Sequence, residues 1–239
     1  MKTTFSGRIS PLELIHPDGA VERSLILGAN CPERLRPEGQ CAAGERADLI
    51  VVAPSGDECR QTGWLRETAG EVERRLASGG IVYVMTPRRW RLESQRLLQA
   101  RGLPVDTFFL HLPNWESSCY MVPLHPMPVQ YAFSNLMPAR RWRLRLARGA
   151  LWLPAGARSL SALFPWTALV ARRPGERAIF DWLRRLDGET RRPQTAIVTS
   201  SWRHAKESIV LHRFSGADAH PSAVVKLGRA VEPGSHPSE

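Results

Sequence analysis

Lys226 follows two valines in the stretch Ala223-Val224-Val225-Lys226, an apolar run that ends in a cation. Two chemistries are open to such a lysine: an ammonium held against phosphate, or the solvated end of an ordinary strand. Gly28 and Asn30 close the run ERSLILGAN at 22–30. A glycine at a strand exit lets backbone approach a ligand closely, as in dinucleotide sites, or it simply releases the strand into a loop. Ala53 and Asp57 bound the Pro-Ser-Gly turn after the next apolar run and are the other candidates for cofactor contact. Asn114, Trp115 and Glu116 read either as a substrate-facing hairpin or as a tight turn with a packed tryptophan. His111 alternates with apolar neighbours, the pattern of a strand histidine. Cys31, Cys41, Cys59 and Cys119 form no C-x-x-C pair and have no histidine at metal-site spacing, so no zinc site is expected.

The most basic stretch interleaves Arg140, Arg141, Arg143, Arg145 and Arg148 with Trp142, Leu144, Leu146 and Trp152. Arginine beside tryptophan suits the headgroup region of an anionic membrane, or an acidic partner. The same composition fits an arginine-rich helix covering a sheet. No recognised nucleic-acid motif accompanies it, so no specific nucleic-acid partner is expected. The whole chain of 239 residues carries a formal charge of +10, which favours anionic partners, although arginine usage also follows genomic base composition. Hydrophobic and charged fractions of 43% and 23% are those of a soluble globular chain able to bury a core. The N-terminus lacks the apolar centre of a signal peptide and no run has the length of a membrane span. Free thiols suit a reducing compartment, so the expected location is cytoplasmic, with peripheral membrane contact open.

The elements that must position these residues emerge from periodicity. Strands are predicted within 22–30, 46–57 and 81–85, each apolar and closed by glycine or proline. Between the second and third, Leu65, Ala69, Val72 and Leu76 share one helical face, and Gly79-Gly80 reads as the helix stop. Thr86 and Pro87 read as cap and first residue of a second helix reaching Gly102. A hairpin over 105–124 and a strand near 166–171 come next. Ile179, Trp182, Leu183 and Leu186 then line a short amphipathic helix. Residues 191–194 read as a linker, and three strands without an intervening helix come after it. A domain boundary is therefore expected near 190, with an α/β domain at 1–190, a small antiparallel β segment at 191–230 and a disordered tail at 231–239.

Residues 46–124 resemble the C-terminal half of a class I methyltransferase that uses S-adenosylmethionine. The likeness is carried by the ADLIVVAPS strand, the EVERRLASGGIVYV helix-turn-strand, the next helix and the HLPNWESSCYMVPL hairpin. PWTALVARRPG resembles the antiparallel last strand of the same sheet. The resemblance implies an incomplete Rossmann-like sheet with flanking helices and an S-adenosylmethionine site near Gly28, Asn30, Ala53 and Asp57. This sequence departs from the family pattern in two ways. It has no G-x-G turn, and Asp48 opens a strand where an acidic residue should close one.

Residues 191–230 are similar to the start of the N-lobe of aminoglycoside- and choline-type phosphotransferases. AVVK matches the strand whose lysine grips nucleotide phosphates, which makes Lys226 the phosphate lysine by resemblance. Ser200, Ser201 and Lys206 stand in the place of the glycine-rich loop. No His-x-Asp loop, Asp-Phe-Gly site or helix glutamate comes after it, so no kinase activity is expected of this chain alone. The two likenesses together imply a fusion of the two domain types, cut short in the second. The function they imply is a methyltransferase-like transferase, degenerate in its cofactor half, whose acceptor by resemblance is a sugar, lipid-linked or natural-product molecule. The alternative is a non-catalytic binding or scaffold protein.

Overall fold

The computed structural model describes residues 4–5, 10–61, 63–112, 120–136, 166–187, 194–201, 208–215 and 220–229. The strands are β1 (Thr4–Phe5), β2 (Ser24–Leu27), β3 (Ala47–Val52), β4 (Leu76–Pro87), β5 (Val105–Leu112), β6 (Tyr120–Pro123), β7 (Trp166–Arg172), β8 (Gln194–Ser201), β9 (Ser208–Ser215) and β10 (Ala223–Arg229). The helices are α1 (Trp64–Arg75), α2 (Arg91–Gln99), α3 (Pro126–Tyr131) and α4 (Asp181–Asp187). All ten strands join one mixed sheet in the order β1-β10-β9-β8-β6-β5-β7-β4-β3-β2. Only β2–β3, β3–β4 and β1–β10 pair in parallel; the remaining neighbours are antiparallel.

Side-chain alternation divides the core into two layers. Leu49, Val51, Ile81, Tyr83, Phe109 and Val170 point to one face, packed against Leu12, Leu14, Ile15, Phe180, Trp182 and Leu183. The opposite face, with Ile50, Val52, Val82, Val84 and Leu169, lies under Val72 and Leu98 of the first two helices. Farther along the sheet, Leu110, Val122, Ile197 and Phe214 are covered by Val129 and Phe133.

Residues 10–19 show no helical or strand period, yet Leu12, Leu14 and Ile15 are fully buried. Burying three such side chains is worth about 5–9 kcal/mol, enough to make this irregular segment part of the core. Trp182 donates its indole N–H to Leu14 O (2.9 Å), and Asp18 accepts from Arg177 (2.6 and 2.7 Å) and Arg185 (2.9 Å). In consequence α4, distant in sequence, is tied to the N-terminal segment.

The central elements differ from expectation at their ends. α1 stops at Arg75, before Gly79, because Leu76 already pairs with Ala47 in the β3–β4 ladder. The register then slips, and Gly79 sits inside the long β4 at a φ of 77°. Thr86 is the penultimate residue of β4, not a helix cap. Its hydroxyl meets Ser94 Oγ (3.3 Å), and α2 begins only after a short 3-10 turn at Arg88–Trp90. The hairpin strands β5 and β6, the reversed β7 and the buried Trp182 and Leu183 of α4 match the periodicity reading, whereas Ile179 is buried but precedes the helix, in a turn where Phe180 takes a φ of 58°. The three late strands also form as read. They join the same sheet through the pairing of Tyr120 with Thr199 and Met121 with Val198.

Candidate ligand site at the carboxyl ends of the parallel strands

In open sheets of this kind, crevices form outside the carboxyl ends of parallel strands, where loops leave for opposite faces. Here β2, β3 and β4 end side by side; the chain leaves β2 toward one face and β3 toward the other, while α1 and α2 start next to each other on the same face, and a crevice is found at each of these two places.

The first lies between β2 and β3. The β2–β3 ladder runs on beyond Leu27: Ala53 donates its N–H to Leu27 O (2.8 Å), and Asn30 donates its N–H to Ala53 O (2.9 Å). To wrap that carbonyl, Gly28 takes a φ of 93°. A Cβ at Gly28 would lie 2.5 Å from Ala53 O, so only glycine fits. Glu58 completes the closure. Its Oε2 accepts the N–H of Ser55 (2.6 Å) and of Ala29 (3.1 Å), and its own N–H donates to Ser55 Oγ (3.2 Å). Burial pushes the Glu58 carboxyl up, but the bonds from Ser55 and Ala29 outweigh it and leave the group below its ordinary value. Asp57 is turned outward and pairs with Arg60 (2.9 Å). Gly28 and Asn30 thus meet at Ala53 while Asp57 faces away, and the protein's own carbonyl and carboxylate occupy the polar groups at that meeting point.

The second crevice lies between the segments that follow β3 and β4, where α1 and α2 begin, and stays open. One wall comes from the turn at Cys59–Gln61 and the start of α1, the other from Trp90 and Glu93 at the start of α2. The space enclosed is about 340 Å³. Half-buried Trp64 and Trp90 stack with ring centroids 6.5 Å apart and planes 22° apart. Arg89 sits over the Trp90 ring at 5.8 Å and reaches Cys59 O (3.5 Å), which joins the two walls. Arg60 and Arg66 are exposed along the first wall and Glu93 along the second. Cys59 is buried, and burial pushes its thiol up, which makes it a poor nucleophile.

The other candidates lie elsewhere. Lys226 is exposed on β10, in register with Val210 of β9, while its neighbour Leu227 faces the core. Lys226 is therefore a solvated residue in the middle of an ordinary strand, not at its end, far along the sheet from Gly28 in strand order. Ser200 lies on β8, opposite Ile209. Asp48, at the amino end of β3, binds Arg23 (2.8 Å). His111 is buried and its Nε2 is hydrogen-bonded to the Tyr83 hydroxyl. Burial, with the Cys31 thiol a lesser cause, holds that phenol neutral well above its usual range. Asn114, Trp115, Glu116 and Lys206 lie outside the described residues, as do Arg140, Arg141, Arg143, Arg145 and Arg148.

Sequence reasoning missed Glu58, Arg60, Arg66, Trp90 and Glu93. Glu58 had a signal: Ser55-x-x-Glu58 carries the capping-box sequence pattern, as does Ser10-x-x-Glu13, although only Ser55 and Glu58 bond reciprocally. In the second pattern Glu13 accepts the N–H of Ser10 (2.9 Å) and of Glu38 (2.9 Å). The groove residues had none, since they meet only when both helices start beside one another.

Among the described residues no group of three or more His, Cys, Asp or Glu could hold a metal ion, and no helix is long and apolar enough to cross a membrane. No family model matches the chain, and no curated protein or solved structure is significantly similar to it.

Proposed function

We propose that this chain is a methyltransferase-like domain that has lost its cofactor crevice and serves as a binding scaffold. The parallel β2-β3-β4 unit, the helices α1 and α2 and the reversed strand β7 support the Rossmann-like half of this reading. The closed crevice carries the other half. S-adenosylmethionine needs backbone approach at the first turn and a carboxylate for the ribose diol. Here Ala53 O fills the Gly28 turn, and the nearest carboxylate, Glu58, is consumed by Ala29 and Ser55. The residues present do not fit the cofactor, and no methyl-transfer step is assigned to them. Likewise no phosphoryl transfer is assigned to Lys226, which stands exposed on β10.

Calorimetry with S-adenosylmethionine tests this reading. The expected result is no binding below about 1 mM; a dissociation constant of about 10 μM or tighter would overturn it. The partner side of the proposal is an anionic surface or acidic partner met by Arg140, Arg141, Arg143, Arg145 and Arg148. The supporting observation is their alternation with tryptophan and leucine in the sequence. Sedimentation with anionic vesicles should fall with salt, and should weaken when Arg141, Arg143 and Arg145 become glutamine, each charge being worth about 1 kcal/mol at the surface. Equal sedimentation with neutral vesicles contradicts it.

A further inference from the structure

We infer that the open crevice between the starts of α1 and α2 is a binding site for a nucleoside monophosphate. The inference rests on the reading of the chain as a scaffold and names what that scaffold holds. The volume of about 340 Å³ lies at the small end of ligand pockets and suits one nucleotide. Each part of such a ligand has a counterpart here. Trp90 is already stacked on Trp64 and lies under Arg89, and its remaining half-buried ring surface, which lines the groove, is what a base can pack against. Arg60 and Arg66 line the groove with guanidinium groups, which match phosphate in charge and in planar donor geometry. Glu93, on the facing wall, supplies an acceptor for sugar hydroxyls. Unlike the other crevice, this one has a polar lining not spent on closing backbone: Arg66 and Glu93 reach solvent, and among the described residues Arg60 is held by the exposed pair with Asp57. An exposed ion pair is worth at most about 1 kcal/mol, so a phosphate can recruit Arg60 from Asp57.

A neutral aromatic molecule would leave the two arginines unused, and inorganic phosphate would leave Trp90 unused. The site therefore discriminates for molecules carrying both features. The test is calorimetric titration of the whole chain with AMP, adenosine and inorganic phosphate in parallel. AMP should bind with a dissociation constant of about 0.1–1 mM, with adenosine and phosphate each about tenfold weaker. Arg66→Gln, an exposed substitution that leaves the fold intact, should weaken AMP by about tenfold. Trp90→Leu should weaken AMP and adenosine alike, with thermal melts of each variant confirming the fold. No saturable AMP binding, or binding that survives both substitutions undiminished, overturns the inference. Either result leaves the closed β2–β3 crevice, and the reading it carries, standing on the separate S-adenosylmethionine titration.

Discussion

The segment that follows β3 borders two crevices of opposite character. Toward β2, chain turns fold onto one another until a carbonyl and a carboxylate fill the space. Toward β4, two helices begin side by side and hold their walls apart around Trp90. The difference traces to the connections. β3 reaches β4 through a full helix, α1, whereas β2 reaches β3 through the 28–46 loop, whose one regular element is a 3-10 turn at Glu33–Leu35. A helix keeps its first turn at a fixed distance from the strand end. An irregular loop has no such spacer, so Gly28 can collapse onto Ala53. Crevices at equivalent strand ends thus diverge through the connection that leaves each strand, while the strands themselves stay alike.

The sharpest way to break this comparison is at Gly28. Gly28→Val must leave its positive φ or clash with Ala53 O, and should cost about 3 kcal/mol in urea unfolding. A loss under about 0.5 kcal/mol would mean that the turn is not closed. Next comes pH, where the glutamates of the two capping-box patterns act in opposite senses. Glu13 is buried, and desolvation lifts its carboxyl to about 6 despite the bonds from Ser10 and Glu38. Its folded value lies above its unfolded one, so its contribution is complete below about 4.5 and is lost as pH rises through about 6. Glu58, more exposed and pulled below its ordinary value, contributes above that value and loses its contribution as pH falls. The penalty of Glu13→Gln should therefore shrink between pH 4.5 and 7 by up to about 2 kcal/mol, whereas that of Glu58→Gln should hold over that range and shrink as pH falls below about 4.5. Parallel trends in the two variants would contradict the assignment.

Glu58→Ala should cost about 1–2 kcal/mol, because Ala29 and Ser55 lose an acceptor that water replaces only in part. The smallest effect belongs to Lys226→Met, which should leave stability within about 0.5 kcal/mol, as expected for an exposed strand residue. A larger loss would show that Lys226 has a structural partner.

The legible part of the sequence was periodic. The apolar runs of β2, β3 and β4, the helix face of α1 and the three late strands could be read because alternation and 3.6-residue spacing are local signals. The segment around Leu12, Leu14 and Ile15 gave no such signal, since its burial depends on Trp182, far along the chain. The end of α1 was misjudged because Leu76 is claimed by strand pairing with Ala47, a contact that outranks the glycine pair as a stop. Gly28, Asn30, Ala53 and Asp57 were grouped only by the resemblance, and of these the structure brings Gly28 and Asn30 to Ala53 and leaves Asp57 turned outward. That Glu58 closes the group depended on a capping box that reaches across to Ala29. The groove at Trp90 was invisible, because Arg60, Arg66, Trp90 and Glu93 come from two helix starts with no shared motif.

The two-crevice account is tested most directly by amide chemical-shift mapping of the labelled chain with AMP and with S-adenosylmethionine. The account predicts that AMP moves amides of 59–66 and 88–93, leaves those of 28–30 and 53–55 in place, and that S-adenosylmethionine moves neither set at comparable concentration. Shifts concentrated at Gly28, Ala29 and Ser55 on adding S-adenosylmethionine would contradict it, because the crevice described as closed would then be the one that binds.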